Sequence, residues 1–218
     1  MRTITMLAQK GGCGRSTLAT QLSVWATQQD ELACIIDLDP QASAALWKSH
    51  RKVKLPLVLR ALPERLSQVA KEAEALGVTT LLVDTAPHLD KTALDTIRIA
   101  DLVLCPTKPD LLTLGALADT VALIEAASAK QKVLAVINDL PTAEKARATA
   151  MGTATAALKK FGLSIAEATI SHSPAMVTAI SLGLGITEKS PKNSASKEVA
   201  ALWAEIVTRT VGHKEAAQ

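Results

Sequence analysis

An apolar run at residues 3–8 breaks off into Gln9-Lys10-Gly11-Gly12-Cys13-Gly14-Arg15-Ser16-Thr17, and a segment of helical period begins at once. Few local patterns restrict a fold more, because a buried strand must hand the chain to a glycine-rich turn whose next residues open a helix. The alternation then continues. Apolar runs at 33–38, 79–84, 102–106, 133–138 and, more weakly, 164–170 read as strands, while 16–28, 57–76, 91–100, 112–129, 142–161, 174–182 and 194–211 read as helices. The expectation is an α/β fold: a doubly wound, mostly parallel sheet with helices on both faces, in a single domain over residues 1–218. The polar, breaker-rich stretch 187–196 reads as a loop that ends in an N-cap for the last helix.

Composition narrows the function classes. Aromatic residues make up only 2% of the chain, three Trp, one Phe and no Tyr, which leaves too few rings for gripping single-stranded nucleic acid by stacking. A net charge of +3 permits weak contact with phosphate backbones without requiring it. Cys13, Cys34 and Cys105 form no C-x-x-C pair, and the histidines at 50, 88, 172 and 213 lack metal-ligand spacing, so neither a disulfide framework nor structural zinc is expected. With no h-region at the N-terminus and no run of 18 apolar residues, a cytoplasmic protein is expected.

The glycine-rich turn is a recipe for holding phosphate. Glycines let backbone N–H groups converge on an anion, the helix dipole adds positive potential, and the Ser16 hydroxyl is placed to ligate Mg²⁺. The common pattern G-x-x-x-x-G-K-[ST] nevertheless fails twice, with Gln9 at its first glycine and Arg15 at its lysine.

Lys10-Gly11-Gly12-Cys13-Gly14-Arg15-Ser16-Thr17 instead resembles, at every position but Arg15, the deviant phosphate loop of the ParA/MinD superfamily of P-loop ATPases. Further segments match in order. Asp37-Leu38-Asp39-Pro40-Gln41 resembles the family's first switch, and Asp84-Thr85-Ala86-Pro87 resembles its Walker B strand and second switch. Pro106-Thr107-Lys108-Pro109-Asp110 and Asn138 stand where relatives shape the nucleotide pocket and read the base. The small size resembles the ParA subgroup associated with plasmid partition.

The resemblance implies a P-loop NTPase fold, ATP/ADP and Mg²⁺ as cofactors, and a homodimer closed by ATP. It assigns Lys10, reaching across the dimer, Arg15 and Asp39 to catalysis, with Asp39 positioning the attacking water. Nucleotide binding falls to Lys10, Gly11, Gly12, Cys13, Gly14, Arg15, Ser16, Thr17, Pro106 and Asn138, and Mg²⁺ to Ser16, with Asp37 and Asp84 acting through water. Implied partners are non-specific duplex DNA, hence a nucleoid location, and a centromere-binding ParB-like protein. The basic candidates for DNA are Lys159, Lys160, Lys189, Lys192, Lys197 and Arg209, while His172 replaces an arginine that relatives use there.

Three alternatives sit beside this reading. A membrane-positioning ATPase similar to MinD needs a basic amphipathic tail, and residues 211–218 have no such face, so no membrane partner is expected. The iron–sulfur branch needs two cysteines after the switch strands, and only Cys105 follows Asp84. Arg15 favours a third, a hydrolysis-poor ATP-bound adaptor, because its planar fork is not a compact point charge. Arg15 is then either a variant that leans on Lys10 or a substitution that traps one nucleotide state.

Overall fold

The computed structural model describes residues 1–87 and 91–215. His88 and the last three residues of the tail lie outside them. Six strands, β1 (Arg2–Met6), β2 (Ala33–Asp37), β3 (Leu57–Arg60), β4 (Thr80–Asp84), β5 (Leu102–Thr107) and β6 (Val133–Ile137), form one sheet in the order β3-β2-β4-β1-β5-β6. All pairings between them are parallel. The chain works outward from β1 to one side through β2 and β3, returns to β4, and then crosses to β5 and β6.

Strand side chains divide with period two. Leu102 and Leu104 enter one apolar cluster while Val103 and Cys105 enter another, so each face of β5 is buried separately. The first face is covered by α1 (Arg15–Gln28), α8 (Pro174–Ser181) and α10 (Ser194–Glu215), through Leu18, Leu22, Met176, Val199 and Trp203. On the opposite face lie α3 (Leu66–Ala75), α4 (Lys91–Ile99), α6 (Leu117–Ala126) and α7 (Glu144–Lys160). The remaining helices, α2 (Ser43–His50), α5 (Leu111–Gly115) and α9 (Ile186–Lys189), are short.

Several expectations change. The helix expected at 57–76 begins only at Leu66, because Leu57–Arg60 pairs in register with Cys34–Asp37 as an edge strand and Pro63 then opens a single 3₁₀ turn. No strand forms at 164–170, which touches β6 through an isolated bridge at Ala135–Ile165, while a second bridge, Leu140–Ser171, lies just beyond both segments. The helix expected over 112–129 is split at Gly115 and Ala116 into α5 and α6. The 187–196 stretch opens inside α9, and its expected cap is the Asn193 side-chain oxygen, which accepts from Ala195 N–H at 2.9 Å.

Register places the motifs. Met6 pairs with Asp84, and Asp84 pairs with Asp37, so the phosphate loop and two aspartates emerge side by side at the carboxyl ends of β1, β4 and β2. In open parallel sheets that edge, where strand order reverses, is where ligands bind.

Candidate functional site

The loop between β1 and α1 owes its shape to backbone conformations that L side chains rarely adopt. Gly12 has φ +77° and Gly14 φ +104°, and a Cβ on Gly14 would stand 2.2 Å from the Asn138 Nδ2. Gly11 and Gly12 face open space. Gly14 is the N-cap of α1 and supplies no side-chain cap, so the first-turn N–H groups of a 14-residue helix are left to an external acceptor. Gly11, Gly12, Gly14, Arg15, Ser16 and Thr17 line one wall of a cleft of about 390 Å³, and Asp39, Gln41, Ser43, Trp47 and Pro87 line the other.

Arg15 is 6% exposed and heavily bonded. Its Nε donates to the Thr85 carbonyl at 2.9 Å, and its Nη1 donates to the carbonyls of Ala8 at 2.5 Å and Lys10 at 2.9 Å. The Lys10 side chain is exposed beside it. Cys13 is buried, and burial raises its thiol pKa despite the nearby Arg15, which argues against the acidified thiol that a helix N-terminus can create. Cys34 and Cys105 lie inside strands with burial pushing both thiols to about 12.

Asp84 stands out electrostatically. It is 0% exposed, and neither carboxylate oxygen has a hydrogen bond of normal geometry with the described residues. Burial pushes its pKa up to about 7, the charges of Asp37 and Asp39 add to the rise, and the neighbouring Ser16 hydroxyl and Arg15 pull the other way. A buried unpaired carboxylate costs several kcal/mol in order of magnitude unless it is protonated or meets a cation.

Asp37 is held differently. Its Oδ1 accepts from Asp39 N–H at 3.1 Å and its Oδ2 from Ala45 N–H at 3.0 Å, so it caps α2 from the end of β2, in a helix whose own N-cap Ala42 offers no side chain. Burial raises its pKa, those backbone bonds oppose the rise, and Asp39 adds to it. Asp39 accepts from Gln41 N–H at 2.8 Å and faces the cleft.

Among the described residues no group of three or more His, Cys, Asp or Glu is arranged to hold a metal unaided. The donor set instead suits Mg²⁺, which keeps waters and is commonly bound by few protein groups plus phosphate oxygens. Ser16 is the direct ligand that fits, with the unpaired Asp84 behind it. Mg²⁺ bound there would supply charge neutralisation at phosphate oxygens; the chain contributes the hydroxyl, the carboxylate and the backbone cradle.

Residues 4–202 match the CobQ/CobB/MinD/ParA nucleotide binding domain. The chain belongs to that family. Among curated relatives, the maintenance of carboxysome distribution protein A of Halothiobacillus neapolitanus is 28% identical over 144 residues, covering 62% of this chain and 65% of that protein. The protein ParA of Rhizobium radiobacter is 27% identical over 128 residues, covering 53% and 54%. The chain thus matches between about half and two thirds of the length of these relatives. Of solved structures, the MinC:MinD complex of Aquifex aeolicus has TM-score 0.79 at 16% identity, over 95% of this chain and 96% of that one. MinD with Mg-ADP from Pyrococcus horikoshii has TM-score 0.71 at 17% identity, over 94% and 95%. These likenesses establish the parallel nucleotide-binding fold and a kinship with partition and positioning proteins.

Within this family fold, Lys10 to Thr17, Asp37, Asp39 and Asp84 converge at one edge. The base-side residues stand apart. Asn138 donates its Nδ2 to the Cys13 carbonyl at 2.7 Å and so braces the loop from behind, and Pro106 is buried within β5. His172, 60% exposed, places Nδ1 2.8 Å from Asp139, whose other oxygen meets Lys108 Nζ at 2.8 Å. Lys159, Lys160, Lys189, Lys192 and Lys197 are exposed, whereas Arg209 is paired with Glu205 one turn away. Sequence reasoning missed the cleft-lining residues of α2, Ser43 and Trp47, and, although it placed Thr85 in a motif, it missed what that residue bonds to. Trp47 lies in the unforeseen α2, and the carbonyl of Thr85 carries no sequence signal for its bond to Arg15.

No helix among the described residues is long and apolar enough to cross a membrane.

Proposed function

We propose that this chain is a Mg²⁺-dependent ATPase of the partition and positioning type. ATP closes it into a homodimer that holds duplex DNA without sequence preference, and a centromere-binding ParB-like partner triggers hydrolysis and release. The observation that carries the reading is the buried, doubly unpaired Asp84 carboxylate beside Ser16, at the mouth of a glycine loop that no side chain caps. In this reading the loop backbone and Arg15 bind phosphates, the exposed Lys10 reaches the partner's nucleotide, and Asp39 orients the attacking water. The relative named for carboxysome distribution widens the cargo beyond plasmids. Exposed lysines on α9, on α10 and at the end of α7 supply phosphate contacts for DNA.

The test is DNA co-sedimentation at low and raised salt, with and without Mg²⁺·ATP. Salt-sensitive binding that requires Mg²⁺·ATP supports the reading; ATP-independent binding, or none, contradicts it.

A second reading, a hydrolysis-poor ATP-bound adaptor, is favoured by one observation: Arg15 spends Nε and Nη1 on protein carbonyls. Steady-state phosphate release separates the two, since an adaptor shows none above background while still binding ATP.

A further inference from the structure

Arg15 has five N–H donors, and the structure accounts for three of them. Nε holds the Thr85 carbonyl, and both hydrogens of Nη1 are claimed by the carbonyls of Ala8 and Lys10. Thr85 immediately follows Asp84, the last residue of β4. Its hydroxyl donates to the Met6 carbonyl at 2.7 Å, so this residue is tied at both ends, by its hydroxyl to β1 and by its carbonyl to the first residue of α1. Nη2 makes no hydrogen bond with the described residues, and the side chain lines the phosphate cleft.

A lysine cannot reproduce this. Its three donors radiate from one nitrogen at the end of a stem, so it can serve the loop or an anion, whereas a guanidinium presents Nε on one edge and Nη2 on another in a fixed plane. We infer that Arg15 is a positioning residue that clamps the turn at residues 85–87, just after β4, to the phosphate loop through the Thr85 carbonyl while keeping Nη2 for an anion in the cleft. The turn is then held before any nucleotide arrives. A lysine in its place would leave the turn to be ordered by ligand. Only the anion half of this inference rests on the nucleotide reading above.

Hydrogen exchange followed by mass spectrometry on peptides covering residues 81–87 tests it, on wild type, Arg15→Lys and Arg15→Gln, each with and without Mg²⁺·ADP. Wild type is expected to protect the turn to within about twofold whether or not nucleotide is present. In Arg15→Lys, exchange without nucleotide should rise about tenfold or more at the turn but not in β5, the gain expected from losing one charge-assisted bond of about 1.5–3 kcal/mol, and Mg²⁺·ADP should restore protection. A nucleotide-free rise confined to residues 81–87, with β5 unchanged, is the readout that simple destabilisation of the whole fold would not produce. Arg15→Gln, which keeps a donor for a loop carbonyl but loses the Thr85 contact, should show the same nucleotide-free rise and stands in if the lysine variant does not fold. Equal turn protection in wild type and a folded variant overturns the clamp. If no form binds Mg²⁺·ADP, the nucleotide reading fails, while the nucleotide-free comparison still decides the clamp.

Discussion

The two halves of the carboxyl edge treat their polar groups in opposite ways. On the β5 and β6 side the described residues leave no buried side-chain polar atom without a partner. Asp139 is held by Lys108 and His172, Asn138 by the Cys13 carbonyl, and Ser171 by Glu198 and Arg147. On the β4 and β2 side neither oxygen of the buried Asp84 has a hydrogen-bond partner of normal geometry among the described residues, with only the Ser16 hydroxyl nearby and two further carboxylates beside it. Proteins seldom leave a buried charge unmatched, so an incomplete network marks where a ligand's charge belongs, and a complete one marks scaffold.

The comparison can be broken at four points. The largest effect is expected at the brace between the halves: Gly14→Ala forces a left-handed residue against Asn138 and should cost about 2–3 kcal/mol, read as a fall in Tm. Next, Asp39→Ala should leave ATP binding intact while slowing single-turnover hydrolysis about a hundredfold, because a water-orienting group acts on the step and not on affinity.

Asp84→Asn comes third, and its sign is the informative part. The folded pKa of about 7 lies above the ordinary 3.8, so folding favours the protonated acid. The group costs nothing below about pH 4, and it destabilises the ligand-free protein increasingly as pH rises, levelling off past about 7. The asparagine variant should therefore be more stable than wild type at pH 8, by roughly 1–3 kcal/mol, and equal to it at pH 4, as read from urea midpoints.

The smallest effect belongs to the matched side. Burial alone would raise Asp139, but bonds from Lys108 and His172 hold its carboxyl below the ordinary range. Its contribution is present above pH 3.8 and lost as pH falls through the lowered value. Since the cluster is only partly buried and solvent screens it, Asp139→Ala should cost about 1 kcal/mol or less, with ATP affinity unchanged.

Most strands and the loop motifs on both sides of this contrast were readable in the sequence; β3, α2 and the long-range contacts were not. Strands β1, β2, β4, β5 and β6 were expected within about two residues of their observed bounds, because five buried runs between helical segments leave little choice. β3 was not, since four residues at an edge run straight into a stretch whose Leu66, Val69, Ala70 and Ala73 keep helical spacing. α2 was invisible because its cap is Asp37, supplied by tertiary contact rather than by a residue at its own start. The loop, Ser16, Asp39 and Asp84 were legible as motifs. That Asp84 is unpaired, and that Arg15 binds a carbonyl 70 residues away, depends on contacts no local pattern encodes.

Under the proposed function, the unmatched Asp84 carboxylate answers to a nucleotide-bound Mg²⁺. Titrating ATP by calorimetry into wild type and Asp84→Asn, with Mg²⁺ and with EDTA, at pH 6 and pH 8, tests it most directly. Mg²⁺ is expected to tighten ATP binding to wild type at least about tenfold, more at pH 8 than at pH 6, and Asp84→Asn to lose most of this dependence. Equal Mg²⁺ dependence in both proteins at both pH values, or no ATP binding by wild type, would contradict it.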